Sequence, residues 1–364
     1  MKKLLFVIPT LSAGGAERFV SNLSNYLVTQ GYHVRILVFE KSKPYYALDS
    51  RIEVKTLGCN IDRTNKLKSR IQILWNIFYK LILLVNKEIK KYAPDIVLPF
   101  LPQADIVTFL ATPLRKDYIV ICSERNDPSS RSKIMKIIIK NIYKNVDWLV
   151  CQSYQVADYY EKILKNKKVI IENPIVRELI PEFILNESGP RIIGAGRLDD
   201  QKNFTLLINS FADAYSHLPF GTTLTIYGEG PQRIELERLI KKRKLEKIVN
   251  LPGLDKDFLK NISDAALFIL SSNFEGFPNV LLETMVLGLP VISTDFSTGV
   301  AQMLIKDDNG IIIPVGNRKK LTEAIIEIMS DKERRKRIRL KNRSLINLYS
   351  IEMIGKKWEL LFSK

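Results

Sequence analysis

Arg191-Ile192-Ile193-Gly194-Ala195-Gly196-Arg197-Leu198-Asp199-Asp200-Gln201-Lys202-Asn203 reads as a strand that stops at a glycine and gives way to a charged loop. Residues 191–195 are largely apolar without alternation, the pattern of a strand covered on both faces. A helical stretch follows at 204–216. Upstream, the segment from Glu172-Asn173-Pro174 to Glu187-Ser188-Gly189-Pro190 is polar, carries prolines and has no period, as a linker does. A second series of strands and helices therefore starts afresh at Arg191.

The same alternation runs through the rest of the chain. Strands are predicted at 4–8, 34–39, 53–57, 96–99, 118–122, 148–151 and 169–171, with helices such as 16–30 and 153–164 between them. Beyond the linker come strands at 223–227, 248–251, 267–270, 290–293 and 310–313, and helices at 232–244, 280–287 and 318–330. A last helix, 351–362, carries Trp358 and is expected to pack back on the first domain. Such series form parallel, doubly wound sheets. The expected architecture is α/β, two Rossmann-like domains facing a central cleft: 1–172, a linker at 173–190, 191–346, and a returning C-terminal helix at 347–364. Ligands of such sheets bind outside the carboxyl ends of the strands.

Bulk properties narrow the chemistry. The chain has 364 residues, 46% hydrophobic and 26% charged, values of a soluble globular protein. No apolar run reaches the ~18 residues of a spanning helix. The short run after Met1-Lys2-Lys3 ends in Pro9-Thr10 and reads as a first strand, not a signal segment. Cys59, Cys122 and Cys151 show no metal-ligand spacing and no even pairing, which points to a reducing compartment and away from zinc. His33 and His217 are the two histidines and both read as structural. A histidine-activated nucleophile is disfavoured. The formal charge of +17 calls for a negatively charged partner: nucleic acid, anionic membrane or a phosphorylated substrate.

Five loops carry candidate chemistry. In Glu275-Gly276-Phe277-Pro278-Asn279-Val280-Leu281-Leu282-Glu283, two carboxylates flank a helix start. Pro278 suits a first turn, where its missing N–H costs nothing. The amides of Asn279, Val280 and Leu281 should then face an anion, with Glu275 in the loop and Glu283 about one turn inside the helix. A diphosphate on the amides and hydroxyls on the carboxylates suit a nucleotide sugar. Arg197 and Lys202 supply cations for charge building on a departing diphosphate. Gly14 and Gly15, in Pro9–Arg18, are expected to expose amides to a ligand, although no dinucleotide fingerprint is present. Gly228, in Tyr227-Gly228-Glu229-Gly230-Pro231, either admits a nucleobase against the backbone or makes an ordinary turn. Glu124, Arg125 and Asn126, in Ser123-Glu124-Arg125-Asn126-Asp127-Pro128, are expected to face the cleft. There Glu124 or Asp127 would orient an acceptor hydroxyl and Arg125 would bind phosphate; a capped loop is the competing reading.

Two basic amphipathic stretches bear on membranes. Arg63 to Lys91 surrounds Ile71, Leu74, Trp75, Ile77, Phe78, Leu81 and Leu84 with eight Lys/Arg. Lys133, Lys136, Lys140 and Lys144 flank Ile134 and Ile137 to Ile139. Such helices lie on anionic lipid, though any crossover helix also has an apolar and a solvated face. Aromatics are not interleaved with the charges, so nucleic acid is not expected.

Gly14-Gly15-Ala16-Glu17-Arg18, Gly196-Arg197-Leu198 with Lys202, and Glu275 through Glu283 together resemble the family-four retaining glycosyltransferases of the GT-B fold, in the right order over nearly the whole chain. Ser123 through Pro128 is similar to the branch that transfers galactose or N-acetylhexosamines in bacterial surface-glycan synthesis. The resemblance implies a UDP-sugar donor, no metal and no separate cofactor. It places Gly15 under the diphosphate, Arg197 and Lys202 on it, Glu275 with the Gly276 and Phe277 amides on the sugar, and Glu283 on the ribose. It implies a lipid-diphosphate-linked saccharide as acceptor and a cytoplasmic, peripheral location at the inner membrane face. Many relatives carry a histidine after the strand at 118–122; this chain has none there, so no catalytic base is assigned. A UDP-sugar epimerase and a non-catalytic nucleotide-sugar-binding subunit are the competing readings.

Overall fold

Continuous apolar runs become parallel strands in the computed structural model, which describes residues 2–41, 43–59, 67–113, 116–164 and 167–364, with 67–77 by backbone alone. Arg63 and the side chains of Ile71, Leu74, Trp75 and Ile77, named above, lie outside the described residues. The chain divides into two compact units, one of 1–174 with 351–364 and one of 175–350.

The first unit is built on seven strands: β1 (Lys3–Ile8), β2 (His33–Val38), β3 (Glu53–Thr56), β4 (Ile96–Pro99), β5 (Ile119–Ser123), β6 (Trp148–Cys151) and β7 (Lys168–Ile170). Their order is β3-β2-β1-β4-β5-β6-β7, parallel throughout. Leu4 to Ile8 are wholly buried because helices cover both faces. On one face lie α2 (Leu67–Tyr92), α3 (Pro102–Ala111) and α4 (Lys133–Lys144), whose Val85, Val107 and Ile139 share a core with Leu5, Val97 and Leu149. The other face holds α1 (Gly15–Thr29) and the C-terminal helix Ile351–Phe362. There Phe6 stacks on Phe100 at 5.7 Å, and Phe19 meets both Phe100 and Trp358. Tyr26 of α1 donates to Glu359 at 2.6 Å. The returning helix expected from Trp358 is thus an integral layer of the first unit.

The second unit carries β8 (Arg191–Ala195), β9 (Thr223–Tyr227), β10 (Val249–Gly253), β11 (Leu267–Leu270), β12 (Val291–Thr294) and β13 (Ile311–Ile313). Their order is β10-β9-β8-β11-β12-β13, again parallel. Residues 175–190, read above as a linker, count with this unit. Arg335 holds Glu187 through two bonds of 2.8 and 2.9 Å. Arg339 donates to the carbonyls of Ile184, Ser263 and Ala265. Both arginines lie on the helix Lys332–Arg343, which hydrophobic periodicity does not reveal. Ile175 donates to the Tyr349 carbonyl at 2.6 Å, so the two ends of this unit sit side by side.

The remaining departures are local. The helix expected at 153–164 is two, Tyr154–Tyr159 and Glu161–Leu164, separated by Tyr160, whose hydroxyl is drawn to Glu124. The helix at 204–216 stops at Ala214 and ends in a 3-10 turn that contains His217.

Trp358 is fully buried, so Trp358→Ala should cost about 3–5 kcal/mol. Urea unfolding of the variant should show that loss, even though the substitution lies near the end of the sequence.

Candidate active site

A doubly wound sheet opens a crevice where successive strands leave in opposite directions. In the second unit that reversal lies between β8 and β11, which are neighbours. The loops after these strands, 196–203 and 271–278, are therefore brought together, and they hold the charged residues singled out from the sequence.

Lys202 Nζ lies 2.6 Å from Glu275 Oε1. Ser272 Oγ donates to the same oxygen at 2.7 Å, and Gln201 Nε2 donates to Oε2 at 3.2 Å. Both charged side chains are largely buried, 14% and 8% exposed, so the pairing is needed for either charge to stay there. The two loops are also laced through their backbones. Ser271 Oγ donates to the Lys202 carbonyl, Asn273 N to Gln201, and Asn273 Nδ2 to Asp200.

Glycines let this happen. Gly196 has φ +150°, and a Cβ there would sit 2.6 Å from the Lys202 Cε. Its hydrogens leave the lane along which the lysine stem runs. Gly228 has φ +136°, and a Cβ there would fall 1.9 Å from the Gly196 carbonyl oxygen. So the 228–231 loop is a brace against the first loop, whatever else it touches.

Arg197 behaves differently from Lys202. Its side chain is 76% exposed, and its Nε is 3.9 Å from Asp199. One cation is thus paired and inward, the other open to solvent.

The helix expected from Pro278 onward spans Asn279–Val286, with Pro278 as its N-cap. Leu281 N donates to the Pro278 carbonyl at 3.0 Å. Its amide is therefore spent inside the first turn, which corrects the expectation of three outward amides. Phe277 is buried in the core, and the Gly276 carbonyl accepts from Thr298 Oγ1 at 3.0 Å. Glu283 is buried four residues after Asn279, on the same side of the helix. The apolar residues around it, Leu281, Leu282 and Met285, anchor this helix in the core.

In the first unit the strand order reverses between β1 and β4. The loop after β1 ends in Gly14, the N-cap of α1, with φ −137° and hence ordinary extended backbone. The Glu17 carboxylate lies over Gly14, where its Oε2 would be 2.1 Å from a Cβ. Glu17 is buried and accepts from Thr10 Oγ1 at 3.0 Å. Its carboxylate sits in the first turn, where the helix dipole favours negative charge. The Gly14 amide donates to the Ser12 carbonyl, so of the expected pair only exposed Gly15 keeps an open position.

Two acceptor-side residues lie deeper than expected. Glu124 does not face an opening: it is 1% exposed. Arg131 Nη2 donates to its Oε1 at 2.6 Å and Tyr160 donates to its Oε2 at 2.7 Å. Arg125 is buried as well, at 8% exposed. Its guanidinium lies 3.5 Å from the Phe19 ring centroid and donates to Asn173 at 2.5 Å. Burial pulls its pKa down to about 9. A strand end rich in charge has here turned those charges inward: the Glu124 carboxylate is paired, while Arg125 Nε and Nη2 are buried without a hydrogen-bond partner. Of the three residues only Asn126 is exposed.

Sequence reasoning assigned no role to Ser272, Gln201 or Glu17. Gln201 and Glu17 stood inside the quoted motifs. Ser272 is the second residue after the apolar run of β11, a position whose polarity was the available signal. Among the described residues no cluster of three or more His, Cys, Asp or Glu is arranged to hold a metal ion.

Comparison with known proteins accounts for both units. The family of glycosyl transferases group 1 matches residues 176–344, and Glycosyltransferase Family 4 matches residues 13–179. The chain is 24% identical to a Campylobacter jejuni GalNAc-alpha-(1->4)-GalNAc-alpha-(1->3)-diNAcBac-PP-undecaprenol alpha-1,4-N-acetyl-D-galactosaminyltransferase, over 98% of this chain and 97% of that protein. It is 27% identical to an N-acetylgalactosamine-N,N'-diacetylbacillosaminyl-diphospho-undecaprenol 4-alpha-N-acetylgalactosaminyltransferase of the same organism, over 92% of each. Anabaena Alr3699/HepE, solved in complex with UDP and glucose, has the same fold, with a TM-score of 0.77 at 17% identity over the full length of both chains.

Glu124→Gln should leave the Arg131 charge buried without its counter-charge and cost about 3–5 kcal/mol. Exposed Asn126→Ala should stay within ~0.5 kcal/mol of the parent. Chemical unfolding of the two variants separates an anchoring residue from a surface one.

Proposed function

The chain belongs to the family-four glycosyltransferases, with the two Rossmann-like domains of the GT-B class, and on that premise we propose that it moves a hexose or N-acetylhexosamine from a UDP-sugar, with retention, to a lipid-diphosphate-linked saccharide in surface-polysaccharide synthesis. The observation that carries the donor site is the Lys202–Glu275 pair at the β8/β11 reversal. The relatives named above, whose own substrates are diphospho-undecaprenol-linked saccharides, support the acceptor class.

On this reading the pair is a placeholder for the donor. An arriving diphosphate takes the Lys202 ammonium, and exposed Arg197 adds a second cation. Glu275 keeps the hydrogen bonds from Ser272 and Gln201 and turns its released lone pairs to sugar hydroxyls. Glu283 and the Asn279 and Val280 amides meet the nucleoside and phosphate portion. The exchange costs little reorganisation because both side chains are already desolvated and fixed. Transfer then breaks the bond between the sugar C1 and the UDP oxygen. The acceptor oxygen bonds to C1 on the same face and passes its proton to the departing phosphate oxygen, giving UDP and a glycoside of unchanged anomeric configuration. The cations neutralise the charge that gathers on UDP, and we propose that no divalent ion is needed.

Lys202→Ala and Glu275→Ala should each lower kcat/KM about 10²-fold or more, followed as UDP release with a lipid-linked acceptor. Undiminished turnover in both would remove the assignment. A thermal-shift panel should favour UDP-sugars over GDP- and ADP-sugars, since binding to the folded state raises the midpoint with ligand concentration. Turnover should be the same in excess EDTA as in magnesium; a loss on chelation would sink the metal-free proposal alone.

A further inference from the structure

We infer that the first unit carries a second ligand site, a pocket for a small organic phosphate at the amino ends of its strands. A cavity of about 460 Å³ lies where β1, β2 and β3 begin, with Lys3, His33 and Glu53 of those strands in its wall. Doubly wound sheets take their usual ligands at the carboxyl ends. The six residues of β1, about 20 Å of chain, separate the two ends. The cavity is therefore distinct from the crevice that the strand reversal opens. Its volume falls in the range of small-molecule sites.

Local folding makes the hollow and stiffens it. Gly31, at φ +87°, turns the chain out of α1 into β2 through a conformation that glycine adopts freely. Tyr32 is then laid edge-on against Phe362, with ring centroids 5.8 Å apart. The same two residues, Gly31 and Tyr32, also line a neighbouring cavity of about 300 Å³. Tyr92, the last residue of α2, is fixed on two sides. Its hydroxyl donates to the His33 carbonyl at 3.0 Å, and the Arg35 guanidinium lies 4.0 Å from its ring centroid. Val28 and Val34, both buried, add apolar wall.

The acids here are spent, and several donors are not. Glu53 accepts from Arg35 at 2.9 and 2.6 Å, and nearby Asp95 accepts the Lys3 amide at 2.6 Å. The Lys3 ammonium, by contrast, pairs with no carboxylate among the described residues and stands 5.9 Å from the Tyr92 ring centroid. Arg51 grips Asp49 through Nε and Nη2 at 2.9 and 2.8 Å, which leaves its Nη1 over. Among the described residues the His33 imidazole and the Tyr32 hydroxyl also have no hydrogen-bond partner. Lysine, arginine, histidine and tyrosine thus share one cavity whose carboxylate is already neutralised. Unused N–H and O–H donors with surplus positive charge select an anion rich in acceptor oxygens, and a phosphate monoester offers three. The tyrosine and valine wall suits a sugar- or nucleoside-sized body, which inorganic phosphate lacks.

The test is calorimetric titration of the full chain with glucose 6-phosphate and with uridine monophosphate, beside glucose and inorganic phosphate. At least one ester should bind with a Kd of ~1 mM or tighter. Glucose should not bind, and inorganic phosphate should bind about tenfold more weakly or worse. Lys3→Gln/Arg51→Gln should weaken the ester about tenfold or more. Both side chains are exposed, so the variant should fold like the parent. Lys202→Ala, which alters the second unit's crevice, should bind the ester as the parent does. So should Lys241→Gln/Lys242→Gln, the same charge removed from exposed positions of the second unit. Failure of both esters to bind, inorganic phosphate binding equally well, or a Lys3/Arg51 variant that binds like the parent would each overturn the inference. So would an equal loss in either second-unit variant, which would mean donor-crevice binding or general attraction to a basic chain. The readout needs no sugar transfer and stands whether or not the donor assignment does.

Discussion

Two side chains 73 positions apart in sequence, Lys202 and Glu275, meet inside the second unit because its sheet changes winding direction between β8 and β11. Much of the local architecture serves that meeting. Gly196 clears the path of the lysine stem, and Gly228 lets the neighbouring loop close behind it. Ser271, Asn273 and Gln201 tie the two loops through backbone carbonyls and amides. The apolar residues of Asn279–Val286 fix the helix that follows. A buried charge pair tolerates no slack, since either partner left alone pays the desolvation cost of a charge in the interior. The pair therefore demands order from its neighbours and repays it by holding polar groups ready in a crevice.

The sheet architecture was legible because buried parallel strands write themselves as unbroken apolar runs. Every strand expected from such a run is present, shifted by a residue or two at its ends. Lys332–Arg343 was not legible, for a specific reason. Its buried positions, Arg335, Ile338, Arg339 and Asn342, keep helical spacing, but three of the four are polar. The period is there without the hydrophobicity that signals it. The same arginines explain why residues 175–190 looked like a tether. A segment fastened by guanidinium groups to its carbonyls and to Glu187 needs no apolar pattern of its own.

The two units use charge at their strand ends in opposite ways. In the second, Arg197 projects to solvent while Lys202 stays paired with the Glu275 carboxylate of the facing loop. In the first, Glu124 and Arg125 follow an apolar strand just as closely, yet both fold inward. One closes a polar network with Arg131 and Tyr160; the other lies against Phe19. Residue type and position after a strand did not distinguish these outcomes. What did is the set of partners within reach: a tyrosine between two short helices, an arginine from the next loop, an aromatic from α1. Those partners are supplied by tertiary packing, which no short window of sequence contains.

The helix Ile351–Phe362 covers one face of a sheet whose strands all precede residue 171, and the whole second unit is encoded between them. On a ribosome, the amino-terminal half thus emerges with Phe19 and Phe100 still lacking the tryptophan that seals them. It must wait, its apolar flank bare, while 176 further residues are made. Assembly is therefore out of order: the part translated in one stretch closes first, and the part begun first is completed last.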